Sequence, residues 1–432
     1  MNNLIKVART VSPLWIGSII GSGSTFVIYI ILARVLGVEN FGIFGSALST
    51  ANIFTLIAGM GISQFWLKIF GKEGWNGIRW VLPSIKLLIL SFLMVIILLF
   101  IWAYFGPHSN LYKNILILIP FFILGQISVQ LVHAKLQLEE RYSFLAIWQF
   151  SPNLSRLIII ITAIYISHYN IKVISVMYIY GIIGFIFFLL SIYELFSMHN
   201  DNFRLKGHGI KQKTIQHDFP SMYIVMKESL PFGIASVFAF IYVQSDIIMV
   251  KYLAGNSEAG YYNAAFSILT AIMIFPTVLY QKYFIPKFHR WAHYEKEKFF
   301  IAYKKGNLIM ALIGIFIMVL LLYISGWLIQ ALFGKEYYPT ITLLKIIALA
   351  IPFYFISYSL GSTLVTMDNI KLKIKFMGFV AIINIILNII LIPQFLAQGA
   401  AIATLISNVC LFILYYIGSQ KWVFKKNKLA LE

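Results

Sequence analysis

Cysteine is almost absent from this chain of 432 residues: Cys410 stands alone, which excludes a disulfide framework and a thiolate metal cluster. Charge is scarce too, at 11% against about 25% in a soluble globular chain. Acidic residues are scarcest, 15 against 34 Lys and Arg, for a formal net charge of +19. What fills the chain is apolar: 60% of residues, with a mean hydropathy of +0.85. Disorder, a soluble enzyme and a coiled coil are thereby excluded, and a polytopic membrane protein is implied. The motifs of common chemistry are missing as well. There is no GxSxG, Walker A or HExxH, and no pair of carboxylates lies at membrane depth for acid–base work. GSGS at 21–24 lies inside an apolar span with no strand before it, so it is not a phosphate loop. His289 and His293 share a helix-face spacing but have no third ligand, and His208, His217 and Asp218 form no better set.

A membrane helix needs about 20 mostly apolar residues. Hydropathy and breakers predict twelve, near 12–36, 41–65, 81–105, 113–133, 144–167, 173–196, 229–252, 260–284, 307–329, 339–364, 376–393 and 398–419. The first is too long for the apolar core of a signal peptide and reads as an uncleaved anchor. Basic residues gather on one side. With the N-terminus inside, Lys6, Arg9, Lys68, Lys72, Lys211, Lys213, Lys296, Lys298, Lys371, Lys373 and Lys375 all fall in internal segments. The outside keeps only Lys113, Lys172 and Lys335 in loops. The positive-inside rule then puts both termini in the cytoplasm. It also accounts for +19 without nucleic acid, since basic loops beside anionic headgroups are ordinary.

The chain repeats itself. A slide of 218 residues pairs Pro13 with Pro231, Gly37 with Gly255, Gly42 with Gly260 and Ser49 with Ser267. A later slide of 232 pairs Ile119-Pro120-Phe121-Phe122 with Ile351-Pro352-Phe353-Tyr354. Six spans per repeat predict a first lobe at 1–200, a cytoplasmic linker at 201–228 and a second lobe at 229–432. Both lobes insert the same way, with a cleft between them suited to alternating access. The fold class is all-α. Pro120 and Pro352 each remove a helical hydrogen bond and are expected to bend the fourth and tenth spans.

Polar residues inside the spans form stripes. Ser18, Ser22 and Thr25 recur at helical spacing in the first span, Gly45, Ser49 and Asn52 in the second, and Asn263, Ser267 and Thr270 in the eighth. They either line a wet cleft or pack helices closely. Arg156 lies near the middle of the fifth span, where an isolated cation costs at least about 2.5–3.5 kcal/mol. It is expected, with Arg34 and Lys251, to face a water-accessible cavity. Asp246 is the one carboxylate well inside a span. It pairs with Lys251 or Arg34, or else titrates as a proton or Na⁺ site.

The segments ILARVLGVENFGIFGSALS (31–49), IAGMGIS (57–63), QSDIIMVKYLAGNSEAGYYNAAFSIL (244–269) and NIILNIILIPQFLAQGAAIATLIS (384–407) resemble the Wzx-type polysaccharide flippases. These belong to the multidrug/oligosaccharidyl-lipid/polysaccharide (MOP) exporter superfamily. The resemblance implies two six-helix lobes in a bacterial inner membrane. It implies transfer of an undecaprenyl-pyrophosphate-linked oligosaccharide to the periplasmic leaflet, for O-antigen or a related surface polysaccharide. It implies no cofactor, leaves H⁺ or Na⁺ coupling open, and leaves a polysaccharide polymerase and a chain-length regulator open as partners. Gly37, Gly42, Gly255 and Gly260 match structural turns of the family, and Asp246 matches a recurrent acid of its seventh span. Two other functions compete. A cation-coupled drug exporter of the same superfamily would favour an acidic cavity, whereas the balance here is basic. A membrane polymerase or acyl transferase would need a long outer loop or buried acid–base residues.

Overall fold

The computed structural model describes residues 2–198, 203–206, 218–365 and 370–424; side chains are described from Pro13 onward, except at 281–283, 286, 289, 290 and 293. No strand occurs among the described residues. The helices are α1 (Asn2–Gly59), α2 (Ile62–Glu73), α3 (Val81–Phe105), α4 (Asn110–Leu138), α5 (Tyr142–Ile166), α6 (Val173–Phe196), α7 (Met222–Ala254), α8 (Asn256–Thr277), α9 (Ile285–Tyr294), α10 (Lys296–Phe333), α11 (Thr340–Thr363), α12 (Ile370–Phe395) and α13 (Ala397–Gly418). Ten helical stretches among the described residues are long and apolar enough to cross a membrane. The first, Pro13–Phe105, is 93 residues long and takes in the first three expected spans, so the count of ten comes close to the twelve expected. Helices this apolar expose whole rows of large side chains. Leu308, Leu312, Phe316, Val319 and Tyr323 line one side of α10 and are all exposed. In water such a row would drive aggregation; in a bilayer it meets lipid.

Gly37 breaks α1, with φ 73° and ψ 171°. Gly255, 218 residues later, separates α7 from α8 with φ 101° and ψ 174°. That region of backbone space is essentially closed to residues with a Cβ. The repeated glycines therefore make the same sharp turn in both halves.

By packing, the chain divides into two compact units: Met1–Ile28 with Ala47–Val237, and Tyr29–Ser46 with Phe238–Glu432. In the first unit, α4 and α6 touch through glycines. A Cβ on Gly125 would lie 2.4 Å from the Gly184 Cα, and one on Gly184 would lie 2.6 Å from the Phe121 carbonyl oxygen. Small residues that bring backbones together are the usual device of membrane helix packing. Pro120 lies inside α4, and Pro352 inside α11 of the second unit, and both helices stay continuous through them. A Cβ on Gly314 of α10 would lie 2.7 Å from the Pro352 Cα.

One end of the first unit is tied by a buried ion cluster. Lys135 contacts Glu194 at 2.5 Å and Glu139 at 3.4 Å, and Arg141 reaches Glu139 at 3.4 Å and Glu194 at 3.7 Å. Glu139 also accepts the Arg204 backbone N–H at 3.3 Å, and the Phe203 ring packs edge-on against Phe70 and Trp75. The start of the expected linker is thus fastened to the first unit. Lys135→Ala would leave two carboxylates facing Arg141 alone in a buried place. We expect a loss of about 3–5 kcal/mol, read as a lower melting temperature of the purified protein.

Candidate functional site

The second unit buries a carboxylate among neutral donors. Asp246 of α7 is 0% exposed. Its Oδ2 accepts from the Tyr262 hydroxyl of α8 at 2.7 Å and from the Thr404 hydroxyl of α13 at 2.5 Å; its Oδ1 accepts from the Asn388 amide of α12 at 2.6 Å. Each partner is placed by helical spacing. Asn384 and Asn388 stand one turn apart on α12, with the Asn388 amide 3.1 Å from the Asn384 Oδ1. Thr404 and Asn408 stand one turn apart on α13, where Asn408 donates to the Thr404 carbonyl at 2.7 Å. Tyr262 follows Gly260 on the short α8 that the Gly255 turn begins.

Two buried atoms of this group, the Asn388 Oδ1 and the Asn384 Nδ2, lack a hydrogen-bond partner. A buried carboxylate held by neutral donors alone is balanced by one carboxyl proton, or by a monovalent cation once the two amides turn their oxygens toward it. Among the described residues no group of three His, Cys, Asp or Glu side chains is placed to hold a metal. His208 and His217 lie outside the described residues, as do the side chains of His289 and His293.

The expected pairing of Asp246 with Lys251 or Arg34 does not occur. Five residues along a helix is about 140° around it, so Lys251 points away, and its Nζ lies 4.4 Å from the centre of the Tyr252 ring. Arg34 turns to α10. Its Nε donates to the Leu332 carbonyl at 2.7 Å and its other arm to the Ala331 carbonyl, capping the exposed end of that helix. Beside it the Tyr337 hydroxyl donates to the Ala33 carbonyl at 2.9 Å. Burial pushes the Tyr337 phenol up, so it remains a neutral donor.

Arg156 is 4% exposed and lies inside the first unit. Its guanidinium lies against the rings of Phe122, 5.1 Å away, and Tyr180, 4.8 Å away, and it donates to the Asn153 Oδ1 at 2.8 Å. The expectation of a water-accessible guanidinium is not met: aromatic faces and an amide relieve its cost instead of water. We therefore expect Arg156→Ala to destabilise the fold by about 2–4 kcal/mol through a lost stack and a cavity. Arg156→Lys should recover little, because an ammonium lacks the planar, delocalised guanidinium that packs on aromatic faces. A melting curve checks both.

The polar stripes divide. Ser18 accepts from the Gln149 amide of α5 at 3.1 Å, and Gly17 and Gly21 beside it pack on the backbone of α5. Thr25 donates to the Gly21 carbonyl at 3.1 Å, and Ser22 is half-buried. In α8, Ser267 and Thr270 donate to carbonyls of their own helix, both at 2.8 Å. Ser49 is buried and Asn52 half-buried. Asn263, buried with its Nδ2 unpartnered, fills the space over Gly45, where a Cβ would lie 2.3 Å from that nitrogen. Sequence reasoning missed Tyr262, Asn388 and Thr404 as ligands of the carboxylate. The one available signal was the Asn384/Asn388 spacing followed one helix later by Thr404.

An all-helical, multi-pass membrane protein of this architecture has well-characterised counterparts. A lipid II flippase, MurJ, in an inward closed conformation superposes with a TM-score of 0.74 at 18% identity, covering 96% of this chain and 87% of that one. An inward-facing multidrug resistance MATE transporter of the MOP superfamily superposes with a TM-score of 0.66 at 13% identity, covering 94% and 95%. At these identities the likeness is one of fold, and the fold is that of the MOP transporters. The sequence profile of the polysaccharide biosynthesis protein family matches residues 7–292, and the chain belongs to that family. It is 22% identical over 395 residues to an uncharacterized membrane protein of Methanocaldococcus jannaschii, spanning 91% of this chain and 92% of that protein. It is also 26% identical over 192 residues to the capsular polysaccharide biosynthesis protein CapF of Staphylococcus aureus, spanning 44% and 48%.

Proposed function

We propose that the chain is a flippase for undecaprenyl-pyrophosphate-linked oligosaccharide units, carrying them from the cytoplasmic to the periplasmic leaflet of a bacterial inner membrane for a surface polysaccharide such as O-antigen. The observation that carries this reading is the family match over residues 7–292, joined to the fold likeness to a lipid II flippase. A polyprenyl tail stays in lipid while sugars cross the membrane within the protein, whose two lobes are those at 1–200 and 229–432. Both termini are cytoplasmic in this reading, with the Gly37 and Gly255 turns outside. Outward movement of each negative charge is favoured by about 2.3 kcal/mol per 100 mV of membrane potential. Asp246 is the coupling site for H⁺ or Na⁺, supported by its complete burial among neutral donors. A polysaccharide polymerase and a chain-length regulator are the partners that would take up the delivered cargo.

Purified protein in vesicles, given a polyprenyl-pyrophosphate carrying a fluorescent sugar, should move it across the bilayer. Vesicles that transport a cationic dye but never the lipid-linked sugar would reverse the proposal in favour of a drug exporter.

A further inference from the structure

The Asp246 carboxylate is wholly buried, and no cation lies within hydrogen-bond reach of it among the described residues. Such a group costs several kcal/mol unless its charge is balanced. Whatever balances it has to arrive by some route. Toward the Gly255 end there is none. The next turns of α7, α12 and α13 present Val250, Ile392 and Ala400, all fully buried and apolar, and on α8 Glu258, one turn from Tyr262, is taken up by the Ala397 backbone N–H at 3.1 Å. Toward the opposite end, where α11 stops and α12 starts, the interior is polar.

We infer that protons reach Asp246 from that opposite end along a ladder of hydroxyl and amide groups inside the second unit. The inference rests on the reading of Asp246 as a coupling site and adds its route and direction of access. Its first rungs are hydrogen-bonded. Thr404 donates to Asp246, and the Tyr242 hydroxyl, one turn back from Asp246 on α7, donates to the Asn408 Oδ1; the Asn408 amide ends on the Thr404 backbone carbonyl, so it lines the path and water has to carry the proton past it to the Thr404 hydroxyl. The Tyr354 ring follows, its centroid 6.2 Å from that of Tyr242 and its hydroxyl buried without a partner. Tyr358 comes one turn later on α11, near Thr277 of α8. At the end of the unit the Tyr415 ring lies against Gly361, and the Lys373 Nζ stands 3.5 Å from where a Gly361 Cβ would be.

Ser357 and Ser407, beside the ladder on α11 and α13, bury hydroxyls without partners as well. Buried polar atoms left unpaired are the positions that internal water bridges. Water there would close the gap between the Tyr242 and Tyr354 hydroxyls. The titratable groups facing Asp246 are tyrosines only: Tyr262 from α8, Tyr354 from α11 and, through Asn408, Tyr242 from α7. Helices α12 and α13 present only amides and hydroxyls to it. In the N-terminus-inside orientation the open end is cytoplasmic.

Infrared difference spectroscopy of the full-length protein in membranes tests the route without any cargo. The carboxyl band that disappears in Asp246→Asn should exchange with deuterated water in the parent. Tyr242→Phe and Tyr354→Phe keep the rings and remove the hydroxyls. Each should slow that exchange, and the double variant should slow it at least about tenfold. Parent-rate exchange in the double variant, or a parent band that never exchanges, overturns the route. Should the double variant fail to insert, Tyr358→Phe at a half-buried position is read in the same way. Slowed exchange in a protein that does not flip the labelled lipid would count against the cargo and leave the route standing.

Discussion

Asp246→Asn is expected to abolish export of surface polysaccharide while raising the melting temperature. The two effects have one cause. Replacing a carboxylate by an amide of the same shape removes a buried charge, and exchanging buried ionic groups for neutral ones is often stabilising by about 1–4 kcal/mol. The hydrogen bonds survive, because the Tyr262 and Thr404 hydroxyls that donate to Oδ2 can rotate and accept from an amide nitrogen in its place. What is lost is the ability to take up and release a proton or cation. Asp246→Ala should instead lower stability, since three buried donors lose their acceptor at about 1–3 kcal/mol each. Parent-level export by Asp246→Asn would show that the carboxylate is a packing group.

Gly42→Ala should also block export, for a steric reason. A Cβ at Gly42 would lie 1.9 Å from the Asn256 carbonyl oxygen and 2.7 Å from the Gly260 nitrogen; one at Gly260 would lie 2.1 Å from the Val38 carbonyl oxygen. These obstacles are backbone and cannot turn aside. The cost is at least the about 1–3 kcal/mol typical of overpacking, and it falls on the seating of Tyr29–Ser46 against α8. Gly45→Ala offers the control. There the obstacle is the Asn263 side chain, so Gly45→Ala should be rescued by Asn263→Gly, whereas no side-chain truncation should rescue Gly42→Ala. Amide hydrogen exchange over residues 38–46, with surface polysaccharide measured alongside, separates the cases. Unchanged protection in Gly42→Ala would mean that the contact is dispensable.

The spans were legible in the sequence because lipid-facing helices are apolar on most sides, and the turns because a φ above +70° at Gly37 and Gly255 selects glycine. Arg34 and Arg156 were legible as costly residues but not as to what relieves them. Their partners, a carbonyl pair nearly 300 residues away and two aromatic rings on α4 and α6, come from helices that one sequence does not bring together. Hydroxyl stripes misled for a different reason. A Ser or Thr that bonds its own helix, as Thr25, Ser267 and Thr270 do, has the same spacing as one that lines water. For Asp246, Gln244 and Ser245 next to it in sequence drew the eye, while the ligands came from three other helices.

The meeting of Gly42 with Gly260, and of Gly45 with Asn263, sets each residue against its own counterpart in the repeat. In a homodimer that is what happens at a dyad: an isologous contact joins a position to itself, and both sides must carry the same residue. Fusion of the two copies into one chain lifts that restriction. The 42/260 pair remains a symmetric glycine couple, whereas the 45/263 pair has become a small residue facing a large one. A space that two identical side chains could only leave empty or overfill is filled here by one asparagine. Asymmetry of this kind, available to a fused pair and denied to a dimer, lets an axis that closes on itself be tuned from one side at a time.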